Sequence, residues 1–125
     1  MNKPNHQKLT GLKRIKHAFI NSISGLAYGW SESAFRTECL LLVVAIPAAV
    51  LIGKDLLDVV LLIGVVLLVL IVELLNSAIE SCIDRVGLEW HALSHRSKDL
   101  GSAAVFMSLL LCVCVWGAFI YEALR

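Results

Sequence analysis

The chain has 125 residues, enough for one domain, and 58% of them are hydrophobic, with a mean hydropathy of +0.81. This share exceeds the roughly 45–50% found in soluble domains, so the composition predicts a membrane protein. The formal net charge is only +1 and the charged residues are gathered between apolar runs, which excludes a broad nucleic-acid-binding surface.

The N-terminal segment is polar and basic. Residues 1–8 contain a proline, and we expect them to form a frayed tail. From about residue 9 to 31, apolar residues recur every three or four positions with basic residues between them. This pattern predicts an amphipathic helix on a membrane surface, and a helix packed on a soluble core is the alternative. Because the first long apolar run begins only near residue 39, we expect no cleavable signal peptide.

The first predicted transmembrane helix covers about residues 33–52. Its purely apolar part, residues 39–52, has 14 residues, whereas roughly 20 are needed to cross a bilayer core, so the helix must begin near residue 33. Pro47 should bend this helix without excluding the crossing, because neighbouring helices can satisfy the freed carbonyl group. The following residues, 53–58, leave room only for a tight hairpin.

The second and third predicted transmembrane helices cover about residues 58–84 and 99–121. The third is the clearest, because residues 100–121 form an uncharged run of 22 residues. Lysine and arginine are more frequent before the first helix and between the second and third than at the other ends, which places the N-terminus in the cytoplasm. The predicted fold is all-α: one integral membrane domain over residues 1–125, with an N-terminal surface helix and three transmembrane helices.

The four cysteines lie in or beside these apolar segments. They lack the paired spacing of a zinc site or a disulfide framework, so we interpret them as small apolar packing residues. They are Cys39, Cys82, Cys112 and Cys114.

Four polar residues interrupt the second transmembrane helix: Glu73, Asn76, Glu80 and Asp84. At about 100° per residue they fall within a sector of roughly 80° on one helix face. Carboxylates are costly in the hydrocarbon region, so they usually face a protein interior or a watery cavity and mark function. Glu73 would suit a general base or a proton carrier, and Glu80 would suit a cation ligand. The alternative is that these residues only join helices by hydrogen bonds.

A second charged cluster, Glu32, Arg36 and Glu38, precedes the first apolar run at the predicted level of Glu80. A divalent ion could bridge Glu32 and Glu80, and a solvated charged collar is the alternative. Residues 89–99 concentrate cations, acids and an aromatic ring at the same level, where phosphate groups would find donors. Because G-x-x-x-x-G-K-[ST] is absent, any ATP must bind through another architecture.

Two motifs resemble the signature of the bacterial diacylglycerol kinase family. Residues 72–80, V-E-L-L-N-S-A-I-E, match its E-[IL]-[LI]-N-[ST]-A-I-E core, and residues 98–105, K-D-L-G-S-A-A-V, match its downstream K-D. Residues 32–38, E-S-A-F-R-T-E, are similar to its E-A-A-F-R-Q-E. The resemblance extends from residue 12 to about residue 121, nearly the whole chain.

The resemblance implies a homotrimeric lipid kinase of the bacterial inner membrane, with shared active sites at the cytoplasmic face. It would transfer the ATP γ-phosphoryl group to diacylglycerol with Mg²⁺ as cofactor, forming phosphatidate in phospholipid recycling, and no nucleic-acid partner is expected. The resemblance implies catalytic roles for Glu73 and Asn76, and metal binding by Glu32 and Glu80. The implied nucleotide-binding residues are Arg14, Glu32, Glu80, Glu89, Trp90, His91, Lys98 and Asp99. The implied lipid-binding residues are Arg14, Ala34, Phe35, Arg36, Glu38, Glu73, Ser102 and Trp116.

The chain departs from the family pattern in three places. It is one residue shorter between Trp30 and Glu32, and Asn21 and Trp90 stand where the family often carries tyrosine. Three alternative functions remain at this point. An undecaprenol kinase of the same superfamily would phosphorylate a long polyprenol. A membrane protein without enzymatic activity would conduct protons or ions along the acidic stripe, which we define as Glu73, Asn76, Glu80 and Asp84. A helical adaptor would have neither kinase activity nor conductance.

Overall fold

The computed structural model describes residues 10–125, which form four α-helices without a strand in that range. The helices are α1 (Leu12–Gly29), α2 (Ser33–Ile52), α3 (Leu56–Val86) and α4 (Ala92–Leu124). The last three are each long and apolar enough to cross a membrane. The predicted all-α class with three membrane-crossing helices is confirmed. The predicted tail, residues 1–8, and the predicted first residue of the surface helix, residue 9, lie outside the described residues.

α2 has 20 residues and continues through Pro47. Its first turns contain the charged residues that precede the apolar run, and they bring the helix to the length of roughly 20 residues that crosses a bilayer core. The helix ends where the N–H of Gly53 donates to the carbonyl oxygen of Ala49 at 2.8 Å. A short hairpin then leads to α3.

α3 and α4, with 31 and 33 residues, are longer than the sequence predicts. α3 begins after Asp55, whose Oδ1 accepts the N–H of Asp58 at 3.0 Å and so caps the helix. α4 begins at Ala92 instead of near residue 99. His91 caps it, since Nδ1 accepts the N–H of Leu93 at 3.2 Å, and the polar residues that follow form helical turns instead of a loop.

The core lies where α3 packs against α2 and α4. The largest fully buried side chains all belong to α3: Leu62, Val66 and Val69. Ala45 of α2 and Cys112 of α4 share one buried cluster with Val66, and such small residues let helices approach closely. The indole N–H of Trp116 on α4 donates to the carbonyl oxygen of Leu62 at 3.1 Å, which adds a polar link between α3 and α4.

α1 meets α3 at its C-terminal end, where Gly29 is its one buried residue. A β-carbon at Gly29 would lie 2.7 Å from Leu74 Cδ2, so only glycine fits this approach without a shift. The elbow that follows, residues 30–32, is held by Arg36, whose Nη1 donates to the carbonyl oxygens of Trp30 and Ser31 at 2.9 Å each. The elbow therefore fixes where α2 starts relative to the end of α1.

Candidate active site

The polar face of α3 is directed into the protein at its middle. Glu73 and Asn76 are buried, with exposures of 7% and 9%. The Asn76 Nδ2 group donates to Glu80 Oε1 at 3.1 Å, so the amide holds the carboxylate one turn further along the helix. A buried acid on an otherwise apolar membrane-crossing helix is costly, which indicates a chemical role for this face.

Carboxylates from the start of α2 lie close to this face. Glu32 and Glu38 are within electrostatic range of Glu73, as is Glu80. Glu38 Oε2 is buried without a hydrogen-bond partner within residues 10–125. Like charges repel strongly in such surroundings, and a bound cation or a shared proton relieves the repulsion. The arrangement is therefore suited to proton transfer beside a cation.

A cavity of about 710 Å³ separates α1 from α3. Its volume is in the range of roughly 300–1,000 Å³ typical of small-molecule sites. Glu32 lies on its wall. The cavity therefore adjoins the group formed by Glu32, Glu38, Glu73 and Glu80, which we call the acidic cluster. Its other lining residues include small and hydroxyl-bearing side chains from both helices: Ser22, Gly25, Gly29, Ser77, Ala78 and Ser81.

A second cavity of about 370 Å³ lies at the connection between α3 and α4. Four of the residues predicted to bind the nucleotide line it: Glu89, Trp90, His91 and Lys98. Because Nδ1 of His91 accepts a backbone hydrogen bond, the neutral ring carries its proton on Nε2, which is a donor for a phosphate oxygen. The Lys98 ammonium is 2.6 Å from Asp84 Oδ1 on the same wall.

Two further residues predicted to bind the nucleotide, Arg14 and Asp99, are not among the lining residues of either cavity. Arg14 is exposed on α1, and Asp99 Oδ1 lies 3.5 Å from His95 Nδ1, with both side chains exposed. Asp99 nevertheless borders the second cavity, because its neighbour His95 lines that cavity.

The residues predicted to contact lipid are spread along the bundle. Four of them are exposed: Arg14, Ala34, Arg36 and Ser102. Phe35 is only 4% exposed, and its ring borders the backbone of Gly29. Trp116 lies level with Leu62, which is 11 residues before Glu73, or about 16 Å along α3 at 1.5 Å per residue. Trp116 is thus at the depth of lipid chains and far from the acidic cluster.

No group of three His, Cys, Asp or Glu side chains within residues 10–125 forms a metal site by itself. Glu32 and Glu80 nevertheless both lie within electrostatic range of Glu73. Magnesium is usually bound by one or two carboxylates together with substrate phosphates and water. The residues present therefore fit a divalent ion that is held jointly with a nucleotide.

The sequence reasoning misses two contacts of this region. Asp84 is one of the four polar residues predicted on α3, but its pairing with Lys98 is not predicted, because the two residues are 14 positions apart on different helices. Gly101 is given no role of its own by the sequence, whereas in the structure its backbone lies against the Asn76 amide. Nothing in the spacing of the sequence identifies that contact.

Comparison with known proteins gives a consistent match over most of the chain. The profile of the family described as prokaryotic diacylglycerol kinase matches residues 20–120. A diacylglycerol kinase of Pseudomonas aeruginosa is 50% identical over 112 residues, covering 89% of this chain and 91% of the relative. One of Escherichia coli is 46% identical over 108 residues, covering 86% and 88%. One of Haemophilus influenzae is 43% identical over 115 residues, covering 91% and 98%.

Proposed function

The chain belongs to the prokaryotic diacylglycerol kinase family, and we propose that it transfers the γ-phosphoryl group of ATP to diacylglycerol on the polar face of α3. The observation that carries this proposal is the buried Glu73, one turn from Asn76, among further carboxylates from α2 and α3. A general base for a lipid hydroxyl needs such a site, at membrane depth and shielded from bulk water.

Glu73 is assigned as the base. Its carboxylate accepts the proton of the diacylglycerol hydroxyl while the hydroxyl oxygen bonds to the γ-phosphorus. The bond from that phosphorus to the bridging oxygen of ADP breaks in line, which gives phosphatidate and ADP. Lys98 and the Nε2–H of His91 are available as donors to phosphate oxygens, and their charge and dipole favour the developing negative charge.

Glu32 and Glu80 are assigned as the carboxylates that would hold Mg²⁺ with the nucleotide. The ion neutralises charge on the phosphate oxygens when it is bound. Asn76 contributes by holding Glu80 through its 3.1 Å hydrogen bond, and such support of a metal ligand typically affects metal affinity or activity by about 10–100-fold.

We further propose a homotrimer in the bacterial inner membrane with its active sites at the cytoplasmic face. The concentration of lysine and arginine before α2 and around the α3–α4 connection supports this orientation. Arg14, which lines neither cavity of one chain, is a residue that a neighbouring subunit would bring to a shared site. Native mass spectrometry from detergent tests the trimer, and a monomeric active enzyme would contradict it.

The proposed reaction is tested with purified protein in mixed micelles, magnesium and γ-labelled ATP. We expect label to enter phosphatidate when diacylglycerol is supplied, and to remain in ATP when the lipid is omitted. Undecaprenol is supplied in a parallel reaction, and a strong preference for it would assign the polyprenol kinase function instead. Transfer to neither lipid, with proton or ion conductance in vesicles, would contradict the kinase assignment altogether.

A further inference from the structure

The amide of Asn76 has a fixed orientation at the contact between α3 and α4. Its Nδ2 donates to Glu80 Oε1, and a carboxylate can only accept, so the NH₂ group must face Glu80. The amide oxygen Oδ1 is consequently directed away from Glu80. This oxygen is buried and has no hydrogen-bond partner within residues 10–125.

Gly101 of α4 is the residue against which that oxygen packs. It is buried, and a β-carbon at this position would overlap Asn76 Oδ1 and lie 3.3 Å from Asn76 Cγ. The three nearest atoms that such a β-carbon would meet all belong to Asn76. The space that a side chain at position 101 would fill is therefore taken by the Asn76 amide.

We propose that Gly101 is a positioning residue for the kinase reaction, an inference that rests on the proposed function. The absence of a side chain lets the Asn76 amide lie between α4 and Glu80, and so fixes the Glu80 carboxylate for the metal-bound nucleotide. Gly101 touches neither substrate nor metal in this role. It acts only through Asn76.

The same geometry says what an alanine at this position would change. The overlapping atom is the end of a side chain, which can rotate, so the helices need not separate and the protein still folds. Rotation carries Nδ2 away from Glu80 and breaks the 3.1 Å hydrogen bond. Gly101→Ala should thus damage the site and spare the fold, unlike a substitution that breaks helix packing.

Gly117 provides a matched control on the same helix, because a β-carbon there would meet nothing within 4 Å. We expect Gly101→Ala to lower kcat at least about tenfold, with the KM for diacylglycerol unchanged. We also expect several-fold weaker binding of Mn²⁺ in the presence of a non-hydrolysable ATP analogue, measured by electron paramagnetic resonance. The thermal midpoint should stay close to that of the wild type, and Gly117→Ala should match the wild type in every measurement.

A third comparison isolates the contact itself. In an Asn76→Ala background the amide is absent, so adding Gly101→Ala should leave the residual turnover and the Mn²⁺ affinity unchanged. An equal loss in both backgrounds, wild-type activity of Gly101→Ala, or failure of Gly101→Ala to fold would each overturn the positioning role. These results are separate from a failure of the proposed function, which would show as no phosphatidate formation by the wild-type chain.

Discussion

The Lys98 ammonium lies 2.6 Å from the Asp84 carboxylate and joins α4 to α3 beside the smaller cavity. Both side chains are substantially exposed, so the pair adds little to stability. Its effect is to hold a flexible lysine where a phosphate group would enter. Asp84 therefore orients a residue of the proposed nucleotide site without being part of the chemistry.

Replacing Asp84 by asparagine should release this lysine. We expect Asp84→Asn to raise the KM for ATP by roughly fivefold, because a released lysine loses side-chain entropy on binding that the pair has already restricted. The thermal midpoint should not change. In a Lys98→Gln background the substitution should add nothing, and steady-state kinetics of the four proteins measures this coupling. Additive effects would show that Asp84 acts independently of Lys98.

Replacing Glu73 by glutamine removes the proposed base and keeps the shape of the side chain. We expect the protein to fold and to bind ATP, while turnover falls roughly 10²–10⁴-fold, the contribution of general base catalysis. Stability should be maintained or increased, since a buried charge among other carboxylates is removed. Label transfer, calorimetric ATP binding and thermal unfolding measure these effects. Near-normal turnover would exclude Glu73 as the base.

Replacing Glu80 by glutamine should weaken the binding of magnesium at the proposed site. At saturating ATP we expect the magnesium concentration for half-maximal activity to rise at least about tenfold, because one of the two proposed carboxylate ligands is lost. Removal of the ion by a chelator should abolish the wild-type activity, and excess magnesium should restore it. Glu122→Gln is the control and should behave as the wild type, because Glu122 lies near the C-terminal end of α4, beside Lys54 of the hairpin and away from Glu80. An unchanged magnesium dependence of Glu80→Gln would rule out metal binding by Glu80.

The two glycines of α1 offer a matched test of how this helix is attached. A β-carbon at Gly29 would press on Leu74 at 2.7 Å, whereas one at Gly25 would meet nothing within 4 Å. We expect Gly29→Ala to lower activity roughly tenfold by displacing Leu74, the neighbour of Glu73, and shifting Glu32. Gly25→Ala should lower activity far less, because its β-carbon meets no atom within 4 Å and alanine favours the helix. Equal activities of the two variants would argue against this attachment.

The membrane-crossing helices and the acidic stripe could be predicted from the sequence for a simple reason. Hydropathy and length identify the helices. A charged residue such as Glu73 within an apolar run can be recognised without knowing how its helix is rotated in the bundle. The early start of α4 could not be predicted, because the residues after His91 are polar and carry no apolar period. Their helical form depends on the His91 cap and on the long helix that follows.

The contact between Asn76 and Gly101 could not be predicted for a different reason. It depends on how far α4 is rotated and shifted against α3, and packing along the whole interface decides both. The same holds for the position of Glu32, which follows from the elbow held by Arg36. Sequence patterns give the face of a helix, whereas the partner of that face comes from tertiary packing.

The lengths of α3 and α4 have a consequence for how the two substrates meet. Helices of 31 and 33 residues extend about 46 and 50 Å, whereas the hydrocarbon layer is roughly 30 Å thick. With the hairpin at Lys54 anchored in one headgroup region, about 15–20 Å of helix would project beyond the opposite face of the hydrocarbon layer. In the proposed reaction, ATP would dock on these projecting helix ends, the lipid would stay within its leaflet, and Glu73 would lie near the depth where the two substrates meet.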